Sequence, residues 1–140
     1  MDPARDNDSA EKQQIERRLN DIFDAAEKKD IARLESYHLY GPKFTKFAPE
    51  ASGRLDAEAA RKGERDGLLA VNDLKMRAEE LQIDVFGKTA ITTFRFNYGF
   101  KVGKQTMNKQ ALATLVFVRT RGAWKITHEH FSEVKPKEGT

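Results

Sequence analysis

The run RTRGAWKITHEHFSEV, residues 119–134, constrains the fold more than any other stretch of this chain. It holds the one tryptophan and two of the three histidines. Arg121-Gly122 supply a turn, and the residues after it read as a final strand that can close a sheet. Strict alternation puts Trp124, Ile126, His128 and His130 on one face, and Lys125, Thr127, Glu129 and Phe131 on the other. Which of these faces lines a cavity is the main functional question.

Upstream, the apolar period changes once. Ile15, Leu19, Ile22, Phe23 and Ala26 recur at helical spacing, behind Asp8 and Glu11 in capping-box positions. Asp30 can cap a second, short helix that buries Ile31 and Leu34. The aromatic stretch YHLYGPKFTKF is too irregular for a helix and ends in a short edge strand over residues 43–47. Asp56 opens an alanine-rich helix that runs to about Val71 and contains Gly63 and Gly67.

From Leu74 onward the period is two. Leu81, Ile83 and Val85 alternate before a hairpin at Gly87-Lys88. The next strand, residues 89–102, carries Phe94, Phe96, Tyr98 and Phe100 on one face, with Ile91, Thr93, Arg95 and Asn97 on the other. Residues 108–120 return, and the final strand completes an antiparallel meander. Helices followed by long strands predict an α+β domain, with N-terminal helices packed on the sheet. Bulk on both faces of the middle strands predicts helices on one side and a second copy of the chain on the other. A length of 140 residues suits a single domain. We place it at residues 10–134, between a disordered tail at 1–9 and a C-terminal tail at 135–140.

The 25 Lys and Arg are interleaved with 22 Asp and Glu, so the net charge of +3 reads as a mixed, solvated surface and predicts no nucleic-acid partner. No run approaches the roughly 20 apolar residues a membrane helix needs. The polar, acidic N-terminus resembles no secretory leader, which predicts a cytoplasmic protein without a membrane partner. Cysteine is absent, which excludes disulfides and thiolate chemistry.

Several residues could carry chemistry. Arg95 interrupts an apolar strand, and by parity Glu129 shares its cavity. The pair reads as an anion clamp, as a structural ion pair, or as an arginine at a solvated edge. His128 and His130 have H-x-H spacing, but no second motif supplies a fourth ligand, so neither metal nor cofactor is expected. Tyr37, Tyr40 and Tyr98, with His38, are candidate acids or bases, with Glu129 the best-placed carboxylate; core or pocket-rim packing is the plainer reading of the tyrosines.

The order of two helices, an aromatic loop, a third helix and a meander resembles the nuclear transport factor 2-like superfamily. That superfamily includes ketosteroid isomerase and the SnoaL-like polyketide cyclases. The ending Gly122-Ala123-Trp124-Lys125-Ile126-Thr127-His128-Glu129-His130-Phe131-Ser132 is similar to the GKWxxVHFHxS ending of the calcium/calmodulin-dependent kinase II association domain. Tyr37, Pro42, Thr45, Phe47, Pro49, Glu50 and Ala51 are similar to its Y…DPxxTxFEPEA segment. The resemblance spans residues 15–132 and implies a cone-shaped, cystatin-like fold, a homodimer or a ring of dimers, and a pocket between helices and concave sheet. It also implies that the face carrying Trp124 looks toward the dimer partner. Of three pocket arginines in that domain, Arg95 matches one, while Leu115 and Phe131 fall at the other two positions. The ligand-binding set is then Arg95, Tyr40, Phe47, Leu115 and Phe131, and the candidate catalytic set is Glu129, Tyr37 and His38. The first functional expectation is an oligomeric module binding a small anionic, partly apolar ligand, with a carboxylate the class that an arginine would suit. The alternative is a cofactor-free acid–base enzyme of isomerase, cyclase or dehydratase type in the same pocket.

Overall fold

A computed structural model describes residues 8–135. The expected tails at 1–9 and 135–140 lie outside the described residues except for Asp8, Ser9 and Lys135, and Ser9 already opens a helix. Helices α1 (Ser9–Glu27) and α2 (Ile31–Ser36) come first, then strand β1 (Thr45–Phe47) and helix α3 (Ala57–Leu69). Four long strands follow: β2 (Asn72–Phe86), β3 (Thr89–Val102), β4 (Gln105–Thr120) and β5 (Ala123–Glu133).

Each helix forms where its sequence signals fall. The α1 stripe Ile15, Leu19, Ile22 and Ala26 is buried, as an amphipathic helix on a sheet requires. Asp8 occupies the N-cap position without a side-chain cap bond, so the expected capping box does not close. Asp30 and Asp56 do cap α2 and α3, accepting from Arg33 N at 3.3 Å and Ala59 N at 2.9 Å. Gly63 and Gly67 weaken α3 by about 1 kcal/mol each relative to alanine.

The sheet order is β1-β5-β4-β3-β2. Strands β2 to β5 form the expected antiparallel meander. At the edge, β1 runs parallel to β5, with Thr45, Lys46 and Phe47 opposite His128, Glu129 and His130. This edge strand, whose direction the sequence left open, makes the five-stranded sheet mixed. The inner face of β3, with Ala90, Thr92, Phe94 and Phe96, packs into the same core as Ala111, Ala113, Leu115 and Phe117 of β4.

A correction concerns β5. Phe117 pairs with Ile126 but the neighbouring Val116 pairs with His128, so Thr127 is an extra residue in a β-bulge. The bulge shifts the alternation. Trp124 and Ile126 before it are buried, and so is Glu129 after it, while His128 and His130 face the other way with the exposed side of the sheet. Trp124 therefore does not share a face with the histidines or look toward a partner. It is 3% exposed, and its indole N–H donates to Gln14 Oε1 of α1 at 3.2 Å. Among the described residues no helix is long and apolar enough to cross a membrane.

Candidate functional site

A cavity of about 380 Å³ lies between the helices and the inner face of the sheet, within the usual range for small-molecule sites. Its walls are largely apolar, with Phe23, Phe94, Phe96, Phe100, Phe131 and Leu115 prominent. The buried or half-buried His38, Lys46, Glu64 and Glu129 also line it, together with exposed Glu50 and half-buried Tyr98.

Different elements deliver the first four of these groups. His38 follows α2 on a segment docked to the free edge of β5, where Leu39 N donates to Ile126 O at 2.8 Å and Ile126 N donates to Tyr37 O at 2.9 Å. Lys46 is the central residue of β1 and lies opposite Glu129, so the two share the inner face. Thr45 and Phe47 turn outward, against His128 (Oγ1 to Nδ1, 2.8 Å) and His130 (ring centroids 5.4 Å apart). Glu64 projects from α3, one turn after buried Ala60 and one before buried Leu68.

His38 Nδ1 lies 2.9 Å from the Leu34 carbonyl, which can only accept, so that nitrogen carries a proton. Its Nε2 lies 3.0 Å from Glu129 Oε1 and 3.7 Å from Glu64 Oε1. A neutral ring would turn a lone pair toward two carboxylates, so the geometry calls for imidazolium. Burial pulls the imidazole pKa down, but the hydrogen bond and charge of Glu129, with the charge of Glu64, outweigh it and push the pKa up to about 9. Burial would raise the Glu129 pKa, but Lys46 and His38 hold it well below the usual carboxylate range. For Glu64, burial and then the Glu129 charge raise the pKa, and His38 and Lys46 only partly offset them. Lys46 is 9% exposed, and its Nζ lies 3.8 Å from an oxygen of each carboxylate, close enough for ion pairing but beyond hydrogen-bond length. Burial works against its charge, the carboxylates outweigh burial, and its pKa is raised. Tyr40 stacks on His38 at 4.9 Å with the ring planes 2° apart, and burial followed by the two carboxylate charges raises its phenol pKa.

Of the residues singled out in the sequence, His38, Glu129, Leu115 and Phe131 meet at this cavity, and Tyr40 backs His38. Three do not. The Tyr37 hydroxyl accepts from Arg33 Nε at 2.8 Å and its ring lies under Arg18, and Phe47 is 40% exposed on the outer side. Arg95 lies on the outer face of β3 and pairs with Glu80 at 3.3 Å. The expected Arg95–Glu129 clamp is thus not formed, because the Thr127 bulge turns Glu129 inward, away from the face that carries Arg95. Lys46 and Glu64 were missed. The Ala60, Glu64, Leu68 spacing on one helical stripe was the available signal for Glu64. Nothing local marks Lys46, whose placement depends on pairing with a strand more than 80 residues away.

His38, Glu64 and Glu129 also offer one donor atom each, all within 4.8 Å of one another, which is a possible cation cage. The Lys46 ammonium already supplies positive charge there.

The model of the SnoaL-like domain family matches residues 15–136. Among solved structures, the chain is similar to a proposed dehydratase of the nuclear transport factor 2-like family from Streptomyces avermitilis, with TM-score 0.84 and 19% identity over 93% of this chain and 100% of that one. It is similar to a nuclear transport factor 2-like superfamily protein from Salmonella enterica, with TM-score 0.81 and 18% identity over 95% and 98% of the two chains. It is also similar to the S. rosetta CaMKII hub, with TM-score 0.72 and 23% identity over 87% and 95%. Among curated proteins, none matches the chain.

Proposed function

Because this chain belongs to the SnoaL-like domain family, whose shared fold leaves function to the cavity, we propose that it is an acid–base enzyme that moves a carbon-bound proton of a small, largely apolar carbonyl compound. Isomerisation and dehydration both begin this way. One observation carries the reading: Glu64, a carboxylate with a raised pKa, opens on an apolar cavity beside two cationic groups.

The roles follow from geometry. Glu64 accepts the proton from the carbon next to the carbonyl, and the C–H electron pair moves onto the carbonyl oxygen. Lys46, with neither carboxylate within hydrogen-bond length, has N–H groups to stabilise that oxygen. A raised pKa suits Lys46 to donate hydrogen bonds and not to attack the carbonyl as a free amine. Glu64 then returns the proton to another carbon as the enolate electrons form the new C–H bond, or gives it to a β-hydroxyl that departs as water while those electrons form the C=C bond. The His38–Glu129 pair balances the buried charge and sets the basicity of Glu64.

The anionic-ligand reading keeps one supporting observation. With Glu64 protonated, the buried cations His38 and Lys46 outnumber the buried carboxylate Glu129 by one, so an anion would bind beside them with uptake of a proton, exposed Glu50 being the remaining carboxylate of the wall. The outer sheet face exposes Ile91 and Leu112, which supports a second copy of this chain as its cover.

Deuterium exchange of 2-tetralone in D₂O, followed by NMR, tests the enzyme reading. The protein should accelerate exchange beside the carbonyl, and Glu64→Gln should slow it by about 10²–10⁴-fold. Exchange unchanged in a folded Glu64→Gln protein would discard Glu64 as the base, and no acceleration by the parent protein would count against the enzyme reading itself.

A further inference from the structure

The cavity is bounded along one edge by a helix stripped of side chains where it passes the reactive groups. Gly63 and Gly67, one turn apart on α3, both line the cavity and are both exposed. Neither has a reason to be glycine within the fold. Both sit in regular helix, whereas the positive-φ glycines are Gly87, Gly103 and Gly122. A Cβ built at either position would meet nothing within 4 Å, so close packing does not require glycine. Exposed helix positions favour alanine or a long polar side chain, and the helix is weaker without one.

What the two glycines do provide is open space beside Glu64, which lies between them in the sequence and faces the cavity. Across the same cavity stands an ammonium, ion-paired with both carboxylates, whose three N–H groups can also meet a ligand's oxygen. The Lys46 ammonium is nine-tenths buried, and its nearest carboxylate oxygens stand at 3.8 Å. We propose that Gly63 and Gly67 form the entrance to the cavity, a bare backbone lip over which a ligand passes to reach Glu64 and Lys46, and that they set the bulk of ligand admitted. This rests on the reading of the cavity as a ligand site and assigns the residues that control access to it. The ligand class is a small, neutral, partly apolar molecule with an oxygen at one end.

Stopped-flow fluorescence with 2-naphthol tests the entrance. Gly63→Ala with Gly67→Ala should raise Tm, because alanine favours helix, and leave naphthol association close to that of the parent. Gly67→Leu should fold equally well but associate about tenfold more slowly or more, the side chain now standing in the path. Parent-like association in Gly67→Leu overturns the entrance while leaving the cavity intact as a ligand site. Loss of oligomeric mass in Gly67→Leu by light scattering also overturns it, since the glycines would then serve close packing between copies. If the parent protein takes up no naphthol, the ligand-site reading fails and the entrance falls with it.

Discussion

Glu129 makes two buried cations possible. Its oxygens face His38 Nε2 at 3.0 Å and Lys46 Nζ at 3.8 Å, and without it both cations would be buried beside Glu64 alone. This pairing has a thermodynamic signature. His38 has a folded pKa near 9, above its ordinary 6.5, so the folded state holds an extra proton between those values. The stabilisation is fully present below pH 6.5 and is lost as the pH rises through 9. Glu64, also raised, adds to the loss with rising pH above the ordinary carboxylate value of 4.5. Glu129, depressed, acts in the opposite sense: its contribution is present above 4.5 and is lost as the pH falls through its lowered folded value. The Tm should therefore fall between pH 6.5 and 9, and His38→Gln should flatten that fall. An NMR titration placing the His38 midpoint near 6.5 in the folded protein would show that the Glu129 pairing does not form in solution.

At the scale of elements, α3 positions the proposed base, and its one side-chain cap is Asp56, which accepts from Ala59 N at 2.9 Å. Asp56→Ala should cost about 1 kcal/mol, roughly 3–5 °C in Tm for a domain of this size, and Asp56→Asn should restore most of it. A Tm unchanged in Asp56→Ala would mean the cap bond adds nothing to the helix. This cap was legible in the sequence, as were the α1 stripe, the hairpin turns and the aromatic inner face of β3. Each is written in residues close together in the chain. The site was only half legible: Lys46 and Glu64 were missed, and Glu129 was assigned with Arg95 to the wrong side of the sheet. Lys46 faces inward through a parallel pairing with β5, which no local pattern encodes. Glu129 faces inward only because Thr127 is bulged, and a period-two reading carries the wrong parity past that point. The same slip joined Arg95 to a cavity on the other side of the sheet.

Among the described residues, helices cover one sheet face and leave the other open. The outer face carries Leu112, 52% exposed, beside Arg95 in the β3–β4 register, with Ile91 also exposed on β3. A sheet with bulk on both faces buries the second against another surface more readily than against water. Leu112→Glu separates assembly from folding. The new carboxylate would lie across from Arg95, where opposite charges on paired strands are favourable, so the isolated chain should stay folded. Two carboxylates brought together across a two-fold interface would instead repel, in a setting stripped of water. Light scattering should give twice the chain mass of 15.9 kDa or a higher multiple for the parent protein, and 15.9 kDa for Leu112→Glu with an unchanged circular dichroism spectrum. A parent protein already at the single-chain mass would remove the second copy from the reading and leave the outer face open to solvent.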